Sequence, residues 1–254
     1  MIARVFIIII LLMFSLLRAG AGDSSRERVF MKALEAFDAA KNADDFRNVA
    51  GMFESLVSPD FQNDAVYYNI GNARIKAGEY GRAILAYRKA RAFRPRDPWL
   101  EANLKQALDS RPGRVPEEPR PWWRAIFFWS DWLSYTEKFN LALAAWAASA
   151  LALGAAEWKR SRRLRWAAAV LAGFAILFSA DAWNAEVDLN QSGRAAVIAE
   201  TVARKGNGLN WEPAFDQPLK DGAEFKILER RGDWVKGRFF GIGDAWLPAA
   251  SIAE

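Results

Sequence analysis

The densest chemistry in the chain is the stretch "EWKRSRRLRW", residues 157 to 166, which holds Lys159, Arg160, Arg162, Arg163 and Arg165. Such a cluster can grip a nucleic acid, coat an ordinary solvated helix face, or mark the cytoplasmic side of a membrane. Those five cations less Glu157 carry all but one unit of the formal charge of +5. A protein that tracks a nucleic-acid groove spreads its cations over a folded face, often with aromatics between them, so no nucleic-acid partner is expected. Other reactive groups are few. With no Cys and no His in 254 residues, there is no disulfide, no thiolate nucleophile, no imidazole base and no usual zinc ligand. Asp, Glu, Ser and Lys could still assemble a site, but no spacing among them suggests one. The expectation is a non-enzymatic protein without cofactor or metal.

The elements flanking the basic stretch decide its meaning. The runs "FNLALAAWAASALALGAA" (139–156) and "WAAAVLAGFAILFSADAW" (166–183) are each 18 residues long, about 27 Å as helix, and just span a bilayer. Aromatic residues near their ends suit the headgroup layer, and small residues such as Ala144, Ala148 and Gly173 would let two helix backbones approach. A buried helical hairpin of a soluble domain competes with this reading. Between two spanning helices, the cations of 157–165 form a positive-inside loop, cytoplasmic, with everything else on the other side. The opening "MIARVFIIIILLMFSLLRAGAG" reads as an export signal over residues 1–21, with an uncleaved anchor as the alternative; both give the same sidedness. The expected location is a bacterial inner membrane with both folded parts in the periplasm.

Residues 64–97, "DAVYYNIGNARIKAGEYGRAILAYRKARAFRPRD", place Tyr67, Ile70, Gly71, Gly78, Tyr80, Ala83, Tyr87, Ala90 and Pro95 in an order that resembles a tetratricopeptide repeat. Arg74 is the one departure, where the repeat usually has an aromatic. Small residues at Gly71, Ala83 and Ala90 would let two helices nest, and the tyrosines fill between pairs. A degenerate first copy covers roughly 30–63, and residues 99–108 supply a capping helix, giving a helical domain over 27–109. The resemblance implies a concave groove lined by the first helix of each pair. Carried over by position, that face holds Glu35 and Asp38, then Tyr68, Asn69, Asn72 and Lys76, then Trp99, Asn103 and Gln106. Amides with aromatics suit an extended peptide, whose backbone needs both donors and acceptors.

Four prolines within 110–123 predict an extended spacer, assigned to 110–121. Residues 122–137 concentrate Trp122, Trp123, Phe127, Phe128, Trp129 and Trp132 and read as an interfacial aromatic segment, with a third transmembrane pass as the competing reading, against which the polar residues from Asp131 to Lys138 argue. From 195 to 254 the pattern turns to short strands and glycine punctuation. Phe225-Lys226-Ile227, Gly232-Asp233-Trp234-Val235 and Trp246-Leu247-Pro248 resemble the bacterial SH3 domain. Trp234 and Trp246 are its candidate ligand surface, with core packing the competing role. Pro116-Glu117-Glu118-Pro119 is formally a PxxP motif that could dock on that module.

The fold expected is thus multi-domain: an all-α tetratricopeptide solenoid, a two-helix transmembrane hairpin and a small all-β SH3-like barrel. Signal, repeats, proline linker, hairpin and SH3-like end, in this order, resemble the BatE proteins of the Bacteroides aerotolerance operon type. That resemblance implies a membrane scaffold without catalysis, whose partners are von Willebrand A-domain Bat proteins and, indirectly, a MoxR-type AAA ATPase, in a complex linked to oxidative or envelope stress. The alternative is a peptidoglycan-binding or wall-sensing membrane protein, since bacterial SH3 relatives also bind cell-wall peptides.

Overall fold

A computed structural model describes residues 24–58, 61–117, 119, 122–191 and 193–254; the export signal expected at 1–21 lies outside them. Five helices come first: α1 (Ser24–Ala39), α2 (Ala43–Glu54), α3 (Asp64–Lys76), α4 (Tyr80–Phe93) and α5 (Pro98–Ser110). Each packs on the next. Three of their N-termini are fixed by side-chain caps. Asn42 accepts from the Asp45 N–H at 3.0 Å, Asn63 from Ala65 at 2.8 Å, and Asp97 from Trp99 at 2.9 Å, with Pro98 in the first turn of α5. Helix α4 lacks such a cap, because Glu79 makes no capping bond through its side chain. Gly78, at φ +79°, turns α3 into α4, and a Cβ on Gly71 would strike the Tyr87 ring, so these two glycines allow the pair to close. Phe53, Ile84, Tyr87, Leu100 and Leu104 lie at the centre of the packing.

Two sequence irregularities have physical readings here. Arg74 is buried, donates to both carboxylate oxygens of Glu54 at 2.8 Å and pairs with Glu79, so it ties the end of α2 to the α3–α4 turn. An aromatic there would contribute area; the guanidinium contributes a bridge between helix pairs. The segment expected to be a degenerate first repeat forms a helix pair, held by Phe30 against Phe53 and Phe37 against Phe46, with centroids 5.5 and 5.4 Å apart.

Two single turns, α6 (Trp123–Ile126) and α7 (Trp129–Trp132), lead into the long helices α8 (Tyr135–Lys159) and α9 (Arg162–Gln191). Both long helices are long and apolar enough to cross a membrane, and only 17% of each apolar window is buried. Leu143, Trp146, Leu151, Phe174 and Ile176 point outward, which a core hairpin of a soluble protein would not tolerate. The helices run beyond the 139–156 and 166–183 expected. The basic loop expected over 157–165 contracts to a turn at Arg160 and Ser161, with Arg160 in the left-handed region at φ 47°. No Gly or Pro interrupts the stretch, and Lys, Arg, Leu and Trp all tolerate helix, so the cations wind onto the last turn of α8 and the first of α9.

The contact between α8 and α9 corrects the residues proposed for it. Ala144 and Gly173 are exposed and Ala148 is half-buried. Besides Lys138, the buried positions are Ala142, Ser149 and Ala156 on α8 and Ala168, Ala175, Ala182 and Leu189 on α9, each of these two sets spaced by seven. A repeat of seven keeps one stripe facing the partner along two gently supercoiled helices. Ser149 Oγ donates to the Ala168 carbonyl at 2.9 Å and Trp146 Nε1 to Ser179 Oγ at 3.2 Å. At the end away from the turn, Ser130 Oγ donates to Asp181 at 2.6 Å, tying α7 to α9, while Lys138 Nζ lies 3.4 Å from the same carboxylate.

Beyond α9 the chain enters an antiparallel five-stranded sheet of β1 (Arg194–Val197), β2 (Glu224–Arg231), β3 (Trp234–Phe239), β4 (Gly243–Pro248) and β5 (Ile252–Ala253). Its order is β4-β3-β2-β1-β5, with a 3₁₀ turn, Ala249–Ser251, before the last strand. Gly232, at φ 54°, turns β2 into β3, and Trp234 and Trp246 lie on the adjacent strands β3 and β4. Ala195, Val197, Phe225, Val235, Phe239, Leu247 and Ile252 pack its core. The long β1–β2 connection folds back onto β4, where Arg204 and Trp246 exchange two backbone hydrogen bonds at 2.9 and 2.8 Å.

Sheet and helices are in contact. Asp221 accepts from the N–H groups of Tyr80 at 2.7 Å and Gly81 at 2.9 Å, giving α4 the cap that Glu79 does not. Arg88 donates to both oxygens of Glu224 at 2.5 and 2.8 Å, and Arg111 to the same carboxylate at 3.1 Å. The segment expected to be a free spacer is laid on the sheet. Gly113 N–H donates to the Asp221 carbonyl at 2.7 Å, Val115 packs against the sheet core, and Pro116 meets Gly241. Proline keeps it extended, as the composition implies, and the sheet supplies the partners that an extended backbone needs.

Candidate functional site

Three of the nine residues assigned to a groove meet in one network. Tyr68 and Asn72 stand four apart on α3, and Asn103 stands opposite on α5. Asn103 Nδ2 donates to Tyr68 Oη at 3.0 Å and to Asn72 Oδ1 at 3.1 Å, and Tyr87 Oη of α4 donates to the same Asn72 oxygen at 2.8 Å. The Tyr68 and Tyr87 rings lie 6.1 Å apart. Burial pushes the phenols of Tyr67 and Tyr87 above their usual range, so both stay neutral donors. The network therefore joins three helices and presents amides along their shared face.

The remaining groove candidates surround it or turn away. Lys76 and Gln106 are exposed, one turn beyond Asn72 and Asn103 on their helices. Trp99 is 75% exposed on the first turn of α5. Asn69 is spent locally, its amide donating to the Ala65 carbonyl of its own helix at 2.9 Å. Glu35 lies on the outer face of α1 beside Glu27, Arg28, Met31 and Lys32, apart from the network.

On the sheet, Trp234 is half-buried and Trp246 is buried, with the Arg231 guanidinium 5.4 Å from its ring centroid. Trp246 is thus packed in rather than presented, while the connection pairs through Arg204 along the edge of β4. A shallow cleft on this unit is lined by Ala214, Phe215, Asp216, Gln217 and Ile242. Among the described residues, no three Asp or Glu side chains gather as metal ligands would.

Sequence reasoning missed Tyr87 as a member of the network, though its ring was noted for packing between helix pairs. It also missed Asp221, Glu224, Arg88 and Arg111. Nothing in their spacing signals a joint, since the pairs stand 113 to 141 residues apart. The one available signal was α4 beginning without a Ser, Thr, Asp or Asn cap. Comparison with protein-family models, curated proteins and solved structures finds no match to this chain.

Proposed function

We propose that the chain is a non-enzymatic scaffold held in a bacterial inner membrane by α8 and α9, with its basic turn cytoplasmic and its helical and sheet units in the periplasm. The helical unit, read as tetratricopeptide-like, binds an extended segment of a partner protein. The carrying observation is the amide network. Asn72 spends its carbonyl and Asn103 its N–H groups within it, which leaves amide donors on Asn72 and a carbonyl acceptor on Asn103, the complement of a peptide backbone.

Other features support the parts of this reading. The Gly71–Tyr87 approach and the pairwise helix packing are what a tetratricopeptide hairpin requires. The strand order, the long β1–β2 connection and the 3₁₀ turn before β5 favour an SH3-like module. Both ends of the long hairpin away from its cationic turn carry a folded unit, and those units touch, in keeping with one shared compartment. Together they support the architecture on which the BatE-like assignment rests; the von Willebrand A-domain partners are what that assignment implies.

Photo-cross-linking from Gln106 in native membranes tests this. Adducts to a von Willebrand A-domain protein, lost in Asn72→Ala/Asn103→Ala, are the expected result; labelled protein with no such adduct overturns it. Since the chain has no Cys, a single cysteine at Ser161 should resist an impermeant maleimide in spheroplasts while one at Gln106 reacts. The reverse pattern overturns the sidedness.

A further inference from the structure

Trp99 was assigned to a peptide groove, yet it stands at the end of the helical unit nearest the long hairpin. The α4–α5 connection is fastened to that hairpin. Phe93 meets Tyr135 edge-on with centroids 6.0 Å apart, Arg96 pairs with Glu137 in the first turn of α8, and the Arg96 guanidinium lies 4.5 Å from the Trp132 ring centroid. Trp99 follows Arg96 by three residues and is 75% exposed. Around the same hairpin end, Trp122 is 78%, Phe128 68% and Trp132 57% exposed. Four large aromatic side chains left uncovered are costly in water, and Arg96 brings Trp132 close to the start of α5.

The length of the hairpin is informative. Helix α8 has 25 residues, about 37 Å at 1.5 Å per residue, whereas about 20 residues cross the hydrocarbon. Its surplus turns place Tyr135 to Lys138 in the headgroup layer when the cationic turn lies at the opposite face. Trp132, Arg96 and Trp99 then share that layer. Indole is suited to it, because the ring partitions to the acyl boundary while its N–H finds phosphate or carbonyl oxygens.

Resting on the membrane reading above, we infer that the helical unit sits on the bilayer surface, with Trp99 inserted beside the Trp122–Trp132 collar as a phospholipid-headgroup contact. The partner at Trp99 is lipid, and the peptide face is confined to Tyr68, Asn72, Asn103, Lys76 and Gln106. Seating the unit in this way fixes the height of that face above the membrane.

The test uses the full chain in vesicles of phosphatidylcholine and phosphatidylglycerol, with single cysteines carrying an environment-sensitive fluorophore. Ala102 is exposed on the Trp99 side of α5, Leu151 lies mid-hairpin, and Lys76 ends α3 at the far side of the α3–α4 pair. A headgroup-attached spin label should quench the label at Ala102→Cys about twofold or more, and adding Trp99→Ala should abolish most of that. The Lys76→Cys label should be unquenched, and Leu151→Cys should be quenched by an acyl-chain spin label. If Leu151 responds and Ala102 behaves like Lys76, or if Trp99→Ala changes nothing, the lipid contact is overturned while the membrane reading stands. If Leu151 does not respond, the membrane reading falls and takes the contact with it.

Discussion

The α8–α9 contact and the joint between α4 and the sheet each hold two elements together, by opposite means. Between α8 and α9 the buried stripe is Ala142, Ser149, Ala156 against Ala168, Ala175, Ala182, with one buried hydrogen bond from Ser149. At the joint, two carboxylates, Asp221 and Glu224, receive two backbone N–H groups and two guanidiniums. On the membrane reading proposed above, lipid offers no hydrophobic drive for α8 and α9 to associate, so what remains is close van der Waals approach, for which small side chains are required. Water offers that drive but competes for every polar group. A joint on its side gains definition from charge-assisted bonds sheltered by neighbours. Each interface therefore has the weakness the other lacks: one fails on added volume, the other on a removed charge.

The largest effect is expected at Glu224. Its carboxylate serves Arg88 and Arg111, and all three side chains are less than one-fifth exposed. Glu224→Ala leaves two guanidiniums close together without their anion, and breaking a buried pair this way costs about 3–5 kcal/mol. Denaturant titration of the detergent-solubilised chain should show a lowered midpoint, with new protease cleavage within 111–117 as the strap comes off. A loss under about 1 kcal/mol would mean that solvent already screens the cluster, and the contrast would fail on its watery side.

Next is Ala175→Leu. Ala175 is fully buried at the middle of the stripe, so the added branches have no space, and overpacking costs about 1–3 kcal/mol. The reading is a lower unfolding midpoint in detergent together with faster disulfide-independent separation of labels placed on α8 and α9. Alanine at 175 tolerating leucine without change would show that the two helices are held by their turn alone.

Much of this was legible beforehand, and the pattern of what was not is instructive. The hairpin, its cationic turn and the strands around Phe225, Trp234 and Trp246 follow from composition and local period, because each is a short-range property. The stripe of seven was also present in the sequence, but alanine is so frequent there that Ala144 and Gly173 seemed as good as Ala142 and Ala175. Only packing chooses among equivalent small residues. The joint was not legible. Asp221 and Glu224 carry no local pattern, and they matter solely because Gly81 and Gly113 let the sheet come near, a Cβ on Gly81 falling 2.5 Å from the Val197 carbonyl. The site divides likewise: α3 and α5 stripes could be drawn from helical period, whereas Tyr87 joins them from a third helix and Trp246 is buried in a sheet whose pairings close from afar.

Asp221 sharpens the comparison with a smaller effect. Asp221→Ala removes the cap of α4, worth about 1 kcal/mol, whereas Asp221→Asn keeps one acceptor and should lose less. Burial lifts this carboxyl above its ordinary value of 3.8, with Glu79 adding to the lift against the two N–H bonds. A raised value means that the docked form binds the proton better than the undocked one. Its contribution is whole below the ordinary value and fades as pH rises through the raised one. The midpoint of the natural chain minus that of Asp221→Asn should therefore be largest in acid and decline towards neutrality. A difference that instead grows with pH would show the ionised cap to dominate.

The smallest effect separates the two faces of one helix. Gly173 lies two residues from Ala175, but it is exposed and nothing comes within 4 Å of where its Cβ would stand. Gly173→Ala adds the same kind of atom that is ruinous at 175, here into open space. The change should stabilise α9 by about 0.5–1 kcal/mol through the lost freedom of the unfolded chain, seen as a slightly raised unfolding midpoint. Were it to destabilise the hairpin instead, Gly173 would have to face another helix in the membrane, and the stripe at Ala168, Ala175 and Ala182 would be only one of two contacts that α9 makes.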